Sequence, residues 1–101
     1  MRFSWDERKA AENLRKHGVR FEAAIRVFDD PSHGTRPDDT RHEQRWQTIG
    51  MPSSANPLVL LVVHTQWVSE DDEEVRIIPA RRATPRERGA YCEGKFGADD
   101  A

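Results

Sequence analysis

The sequence predicts a small single domain of the α+β class, in which helices flank an antiparallel sheet in the order β-α-α-β-β-β-α. Three observations predict this class. The chain has only 101 residues, which leaves room for one modest hydrophobic core. A nearly continuous apolar run near its middle is typical of a central strand. Segments with helix-capping signals lie towards both ends. We expect residues 1–94 to form the domain and residues 95–101 to form a disordered tail.

The first elements are a short strand and a capped helix. Residues 3–5 alternate apolar and polar side chains, which predicts an edge strand. Asp6 can accept a backbone N–H as the N-cap of the first helix, and Gly18 can take the left-handed conformation that ends it. A second helix is predicted over residues 21–28, whose apolar residues recur at helical spacing. Residues 32–42 are rich in Asp, Thr, Gly and Pro and predict a long loop.

Three strands and a last helix follow. Residues 45–50 have strand character, and the apolar residues 58–68 predict a central strand that is covered on both faces. Residues 75–78 are its predicted partner, and Pro79 should end or bulge the ladder because proline lacks an N–H. The last helix has a complete start signal, a capping box with a proline in the first turn, formed by Thr84, Pro85 and Glu87.

Composition limits the class of protein. The chain has 16 basic residues, 13 of them Arg, and 18 acidic residues, of which five form the consecutive run 70–74. The remaining body is basic and suits RNA or an acidic partner. No apolar run reaches the roughly 18 residues of a membrane span, and Met1 begins no secretory leader. The single Cys92 cannot form an internal disulfide. We therefore expect a cytoplasmic protein without membrane association.

An arginine-rich segment, R-I-I-P-A-R-R-A-T-P-R-E-R, covers residues 76–88. Guanidinium groups bind phosphate oxygens in a planar, bidentate way and stay charged at physiological pH. The segment therefore indicates a surface for a polyanion. The alternative is a solvated helix face with ion pairs, which is the commoner meaning of an arbitrary charge run.

Five motifs occur in order along the chain. They are F-S-W-D-E-R-K-A-A-E-N-L-R-K-H-G-V-R-F-E-A-A, V-F-D-D-P, E-x-R-W-x-x-I-G, L-V-V-x-T and R-I-I-x-A-R-x-A-T-x-x-E-R-x-x-Y. Together they cover residues 3–91 and resemble the BrnT-type toxins. The resemblance implies a RelE-like or microbial-ribonuclease-like fold and a small ribonuclease of a type II toxin–antitoxin system. Two features depart from the family pattern, namely Pro79, where the family usually has Ser, and the long acidic run 70–74.

The same resemblance implies partners. It implies a cognate antitoxin with a ribbon-helix-helix domain, a heterotetramer of two toxin–antitoxin pairs, and contact with operator DNA only through the antitoxin. RNA is the implied substrate. The chain itself has no recognisable helix-turn-helix or basic arm, so direct operator binding is the weakest hypothesis.

RNA cleavage without a metal needs a base for the 2′-hydroxyl, cations for the phosphorane-like transition state and an acid for the leaving oxygen. No acidic or histidine cluster has metal-ligand spacing, so we expect no metal or cofactor. The candidate catalytic arginines are Arg45, Arg76 and Arg81. By strand alternation the first two should project from one sheet face. Glu43 is a general base or a group that orients Arg45, and we favour the second role.

Candidates for RNA binding are Lys9, Lys16, His17 and Arg82. Lys9 and Lys16 are seven residues apart and share a helix face, which is either a phosphate contact or a solvated surface. His17 either caps the helix carbonyls or transfers a proton, with the cap reading favoured from the sequence alone.

The sequence also allows other roles for several of these residues. Arg76 and Arg81 can instead pair with Glu43, Glu87 or the acidic run. His64, inside the apolar strand, should be buried and hydrogen-bonded. Trp46, Trp67 and Tyr91 can stack on bases or fill the core. A non-catalytic, degenerate toxin that binds antitoxin or RNA is the alternative function.

Overall fold

The computed structural model describes residues 1–38, 43–55 and 57–97. Three α-helices and a five-stranded mixed sheet form one α+β domain, which confirms the predicted class. The elements are β1 Arg2–Ser4, α1 Glu7–His17, α2 Phe21–Ala24 with a 3₁₀ continuation Ile25–Asp29, β2 Gly34–Asp38, β3 Arg45–Gly50, β4 Leu60–Val68, β5 Glu73–Arg82 and α3 Pro85–Cys92. The strand order is β1-β5-β4-β3-β2. No helix in these described ranges is both long and apolar enough to cross a membrane.

The sheet differs from the expectation in two ways. Part of the predicted loop, Gly34–Asp38, forms the edge strand β2, which pairs antiparallel with β3. Glycine and proline are tolerated on an edge strand, because one side of its hydrogen-bonding ladder needs no partner, and their presence made the segment read as a loop. In addition, β1 runs parallel to β5, so the sheet is mixed. Residues 39–42, also assigned to the loop, lie outside the described residues.

The helix ends follow the predicted signals. The Asp6 carboxylate accepts hydrogen bonds from two backbone N–H groups at the start of α1, and Gly18 ends the helix at φ +68°. Thr84 and Glu87 form the expected capping box of α3. The second helix is shorter than predicted, because it tightens into a 3₁₀ turn from Ile25 onwards.

The two sheet faces are covered unequally. One face, the α1/α2 face, packs on the larger hydrophobic cluster, which includes Phe21 and Val62. On the other, the α3 face, a smaller cluster includes Leu61 and Phe96. Phe96, which the sequence placed in a tail, is only 8% exposed, so the fold extends through residues 95–97. Residues 98–101 lie outside the described part of the chain.

A β-bulge interrupts the pairing of β4 with β5. Val62 faces Ala80 and His64 faces Ile77, so two residues of β5, Ile78 and Pro79, lie opposite a single residue of β4. The predicted disruption at Pro79 is therefore confirmed, although the strand continues beyond it to Arg82.

The helix α1 packs along the free edge of β5 just past the bulge. The Asn13 amide donates to the carbonyl oxygen of Ala80 at 2.8 Å and accepts from the Ala80 N–H at 3.0 Å. It also donates to the carbonyl oxygen of Val19 at 2.9 Å. The Asn13 side chain thus gives β5 the hydrogen bonds that a neighbouring strand would give, and it fixes α1 beside the sheet.

Candidate functional site

A crevice of about 260 Å³ lies between α1 and the sheet, and we call it the α1 crevice. It is lined by Lys9, Glu12, Asn13, Lys16, His17, Arg45, Ile78 and Pro79. Four of these residues, Lys9, Lys16, His17 and Arg45, were predicted from the sequence as binding or catalytic groups. The fold therefore brings together cations from two segments that are about 30 residues apart in the chain.

The geometry of α1 explains why its cations reach this crevice. Lys9 and Lys16 are two helical turns apart on the face that also carries Asn13. Because Asn13 is fixed to the edge of β5, this helix face lies beside the sheet edge, and its two lysines remain exposed there. His17 lies in the last turn of α1, close to Lys16.

Arg45 enters the crevice from β3. The residues of β5 that line the same crevice lie two strands away, so the Arg45 side chain must lie across β4. It is 19% exposed, and its Nη2 is 3.6 Å from the Glu43 carboxylate, which is 61% exposed. Its Nε is buried and has no hydrogen-bond partner within the described residues. Glu43 and Arg45 thus form an ion pair at the start of β3, and the guanidinium carries one buried, unpaired donor.

Arg76 lies beside the α1 crevice but does not line it. Arg76 is the register partner of Thr65, and Arg45 comes one residue before Trp46, the partner of His64, so by strand alternation both leave one face, as predicted. Arg76 is exposed, and its Nη1 is 3.4 Å from the Ser4 hydroxyl. It precedes Ile78, a lining residue, by two positions on the same strand face.

Arg81 does not join the crevice. Its two terminal nitrogens donate to the two carboxylate oxygens of Glu87 at 2.8 and 2.9 Å. This hydrogen bonding raises the pKa of Arg81 and lowers that of Glu87. The structure therefore gives Arg81 the alternative role, an ion pair at the start of α3. Arg82 is exposed at the end of β5 and does not line the crevice either.

His64 is a core residue, as predicted. It is fully buried, and its Nε2 is 2.8 Å from the Thr48 hydroxyl. Burial lowers the pKa of His64 to about 4, so the ring is neutral at physiological pH. Two of the aromatic residues that could either stack on bases or fill the core have different surroundings. Trp67 is 64% exposed, whereas the Tyr91 hydroxyl donates to the Asp30 carboxylate.

Sequence reasoning missed Asn13, Glu12 and Asp30. Asn13 lies in the first motif, four residues after Lys9 and three before Lys16, so its place on their helix face was predictable. Glu12 carried no separate signal. Asp30 accepts hydrogen bonds from the Tyr91 hydroxyl and from the backbone N–H groups of Met51 and Ser32. Burial favours a higher pKa for Asp30, but these hydrogen bonds outweigh it and lower the pKa.

Across residues 1–38, 43–55 and 57–97, no group of three His, Cys, Asp or Glu side chains is arranged to hold a metal ion. The charged side chains that line the α1 crevice are mainly cationic, with Lys9, Lys16 and Arg45 against Glu12, and cationic groups suit a phosphate anion.

Comparison with known proteins agrees with this chemistry. The sequence model of one family, described as the ribonuclease toxin BrnT of type II toxin–antitoxin systems, matches residues 5–87. This stretch contains every residue that lines the α1 crevice. No curated protein matches the chain. The family match covers most of the 101 residues, and the chain belongs to the BrnT family of ribonuclease toxins of type II toxin–antitoxin systems.

Proposed function

We propose that this toxin is a metal-independent endoribonuclease and that it cleaves RNA in the α1 crevice. One observation carries the proposal: α1 and β3 place Lys9, Lys16, His17 and Arg45 around one small space. A phosphodiester gains negative charge in its transition state, and fixed cations in a partly enclosed site stabilise that charge. These side chains can supply the electrostatic stabilisation that a metal ion supplies in other nucleases.

In the proposed reaction the 2′-oxygen of the RNA attacks the adjacent phosphorus, and the bond from phosphorus to the 5′-oxygen breaks. The products are a 2′,3′-cyclic phosphate and a free 5′-hydroxyl. The Arg45 guanidinium binds the non-bridging oxygens through its terminal nitrogens. His17, as an imidazolium, gives a proton to the leaving 5′-oxygen.

The proton of the 2′-hydroxyl goes to a carboxylate at the crevice. Glu12 lines the crevice, whereas Glu43 forms an ion pair with Arg45. Replacing each carboxylate by glutamine shows which one is the general base, because only the loss of the base changes the acidic limb of the pH–rate profile. Arg76 and Arg82 are proposed to contact flanking phosphates. Arg81 is proposed to act indirectly, because its ion pair with Glu87 positions α3.

The test is cleavage of RNA by purified protein in EDTA. Arg45→Ala should lower the rate by about 10²-fold or more, the usual loss for a group that stabilises transition-state charge. Arg15→Ala is the matched control, since Arg15 is an exposed arginine of α1 that does not line the crevice. Equal cleavage by the Arg45 variant, or cleavage only after a divalent metal is added, would contradict the proposal.

We further propose that the toxin acts in the cytoplasm, that it arrests growth, and that an antitoxin with a ribbon-helix-helix domain neutralises it in a heterotetramer. The family match supports an antitoxin partner. Co-expression with the neighbouring open reading frame should restore growth and yield a co-purifying complex. Failure of that frame to rescue or to co-purify would remove it as the antitoxin.

A non-catalytic toxin is the second candidate. The observation in its favour is that only one of the three predicted catalytic arginines, Arg45, reaches the crevice, because Arg81 is occupied by Glu87. Expression in growing cells separates the two functions. An active ribonuclease arrests growth and Arg45→Ala relieves the arrest, whereas a binding module leaves growth unchanged.

A further inference from the structure

A second and larger crevice, of about 670 Å³, opens on the α3 face of the sheet, and we call it the α3 crevice. Its walls carry Arg36 from β2, Arg86 from α3 and Lys95 from the segment after α3. The volume lies in the range of sites that hold small organic ligands such as a nucleotide. None of these three cations belongs to the site proposed above.

The Arg36 guanidinium is held in a fixed plane. Its Nε donates to the Gln47 amide oxygen at 2.8 Å, and its central carbon lies 4.2 Å from the centre of the Phe96 ring. These contacts use one nitrogen and one face of the group, and among residues 1–38, 43–55 and 57–97 its terminal nitrogens have no hydrogen-bond acceptor. A guanidinium fixed in this way loses little entropy when it binds a phosphate.

The charge balance of the α3 crevice is positive. Its two carboxylates already have partners, because Glu87 is bound by Arg81 and Glu93 lies 3.3 Å from the Lys95 ammonium. Within the described ranges no carboxylate forms an ion pair with Arg36 or Arg86. Two arginines are thus available to an anion.

The arginines of the two crevices are neighbours on the α3 face of the sheet, because Arg45 leaves β3 on the same side as Gln47 and Ile49. Arg36 is the register partner of Gln47, and Arg45 lies two residues before Gln47 on β3. Arg36 and Arg45 are therefore diagonal neighbours, for which backbone separations of about 7–8 Å are usual. A nucleic-acid strand that places one phosphate at Arg45 can place a nearby phosphate at Arg36.

We propose that the α3 crevice is a second phosphate-binding subsite for single-stranded RNA, which crosses the sheet face from the α1 crevice to α3. This inference rests on the proposed function. Two small, separate crevices suit individual nucleotides of a flexible strand, whereas a rigid A-form duplex presents its phosphates along a broad helix. The substrate class is therefore single-stranded RNA long enough to reach both crevices.

Gly89 offers a direct test. It lines the α3 crevice, and a Cβ built there meets no heavy atom within 4 Å. Gly89→Glu therefore introduces a negative charge into the crevice without a steric clash, and Gly89→Ala is the matched neutral control. Arg86→Gln removes an exposed cation from the same wall. Thermal unfolding of all three variants shows whether the fold is intact.

The measurement is equilibrium binding of RNA with 2′-O-methyl groups, which cannot be cleaved. A single strand of roughly ten nucleotides should bind about tenfold more weakly to Gly89→Glu and to Arg86→Gln, and with unchanged affinity to Gly89→Ala. A dinucleotide, which fills only the α1 crevice, should bind all variants equally. Unchanged binding of the longer strand to both charge variants, or equal loss for the dinucleotide, would overturn the subsite.

Two further measurements distinguish this inference from the proposed function. A duplex of the same length should bind more weakly than the single strand, and equal binding would refute the single-strand preference. Cleavage of unmodified RNA by the wild-type protein in EDTA reports the proposed function alone. If cleavage is absent while the variants show the expected binding pattern, the enzyme proposal fails and the subsite stands.

Discussion

Arg81 and Glu87 form the best-defined ion pair on the α3 face, with two hydrogen bonds between planar groups. The side chains are 37% and 14% exposed, so solvent screens part of their attraction. Glu87 also accepts from the Thr84 N–H in the capping box. The pair therefore joins the end of β5 to the start of α3, and it holds the helix in position relative to the sheet.

This role makes a prediction that separates Arg81 from a phosphate-binding arginine. Arg81→Ala and Glu87→Gln should each lower the free energy of unfolding by about 1 kcal/mol, and the double variant should lose little more, because both break one interaction. Denaturant unfolding of the four proteins gives this cycle. If Arg81 instead contacts the scissile phosphate, Arg81→Ala abolishes cleavage while Glu87→Gln leaves it nearly unchanged.

His64 makes stability depend on pH. Its folded pKa of about 4 lies below the ordinary value of 6.5, so the unfolded chain takes up a proton that the buried ring does not. Its contribution is full above pH 6.5 and is lost as the pH falls towards 4. The loss should amount to about 3 kcal/mol, from a shift of roughly two and a half pKa units.

Thermal unfolding between pH 7 and pH 4 measures this effect. His64→Gln should show a lower melting temperature at pH 7 but a weaker dependence on pH in that interval, because no buried imidazole remains. His33→Gln, at an exposed position, is the histidine variant measured for comparison. A His64 variant with the same slope as the wild type would refute this assignment.

At the scale of elements, local signals predicted most of the fold. The caps at Asp6 and Thr84 located α1 and α3, and the proline at position 79 located the bulge. Strand β2 was missed, because Gly34 and Pro37 read as loop residues when the pairing with β3 is unknown. Edge strands are defined by their neighbour more than by their own composition.

The candidate site was predictable only in part, for the same reason. Helical spacing placed Lys9 and Lys16 on one face, and strand alternation placed Arg45 and Arg76 on one face. Which of these faces meet depends on the order β1-β5-β4-β3 and on the docking of α1, which are long-range contacts. The partner of Arg81 lies only six residues away, but the turn between them had to be known before the pair could be assigned.

The contact between α1 and β5 makes the third prediction. Asn13→Ala would leave the buried N–H and carbonyl of Ala80 and the carbonyl of Val19 without partners, which should cost about 3 kcal/mol of unfolding free energy. Asn13→Asp keeps the acceptor and loses the donors, so it should also destabilise the fold. Glu12→Gln, one position earlier and exposed, is the control for stability.

Cleavage by the Asn13 variants tests the consequence for the site. Because Asn13 holds α1 against the sheet, its loss should lower RNA cleavage at temperatures where the protein is still folded. Wild-type cleavage by a destabilised Asn13→Ala protein would show that α1 does not need this contact to place its cations.

At the scale of the molecule, the charges are segregated. The net charge is −2, yet both crevices are cationic, and the acidic run 70–74 lies at the β4–β5 hairpin. Arg2 neutralises part of this run, since it pairs with Asp72 and Glu74. An overall negative protein can bind a polyanion in this way, because local fields rather than net charge act on a bound phosphate.

The final prediction concerns salt. Seven cations are proposed to contact phosphates, namely Lys9, Lys16, Arg36, Arg45, Arg76, Arg82 and Arg86. If each neutralises one phosphate, the logarithm of the affinity for single-stranded RNA should fall with the logarithm of salt concentration with a slope of about −5. Arg45→Ala should reduce the steepness by about 0.7, the change for one lost contact on a single strand. Non-cleavable RNA and a titration from low to physiological salt give both slopes.

The acidic hairpin provides the control within the same titration. Glu70→Gln combined with Asp71→Asn removes two negative charges that lie outside both crevices. The affinity should rise at about 0.01 M salt, where the Debye length is roughly 30 Å, and approach the wild-type value near 0.15 M, where it is about 8 Å. A slope near zero in the wild type would instead assign RNA binding to uncharged contacts such as stacking on the exposed Trp67.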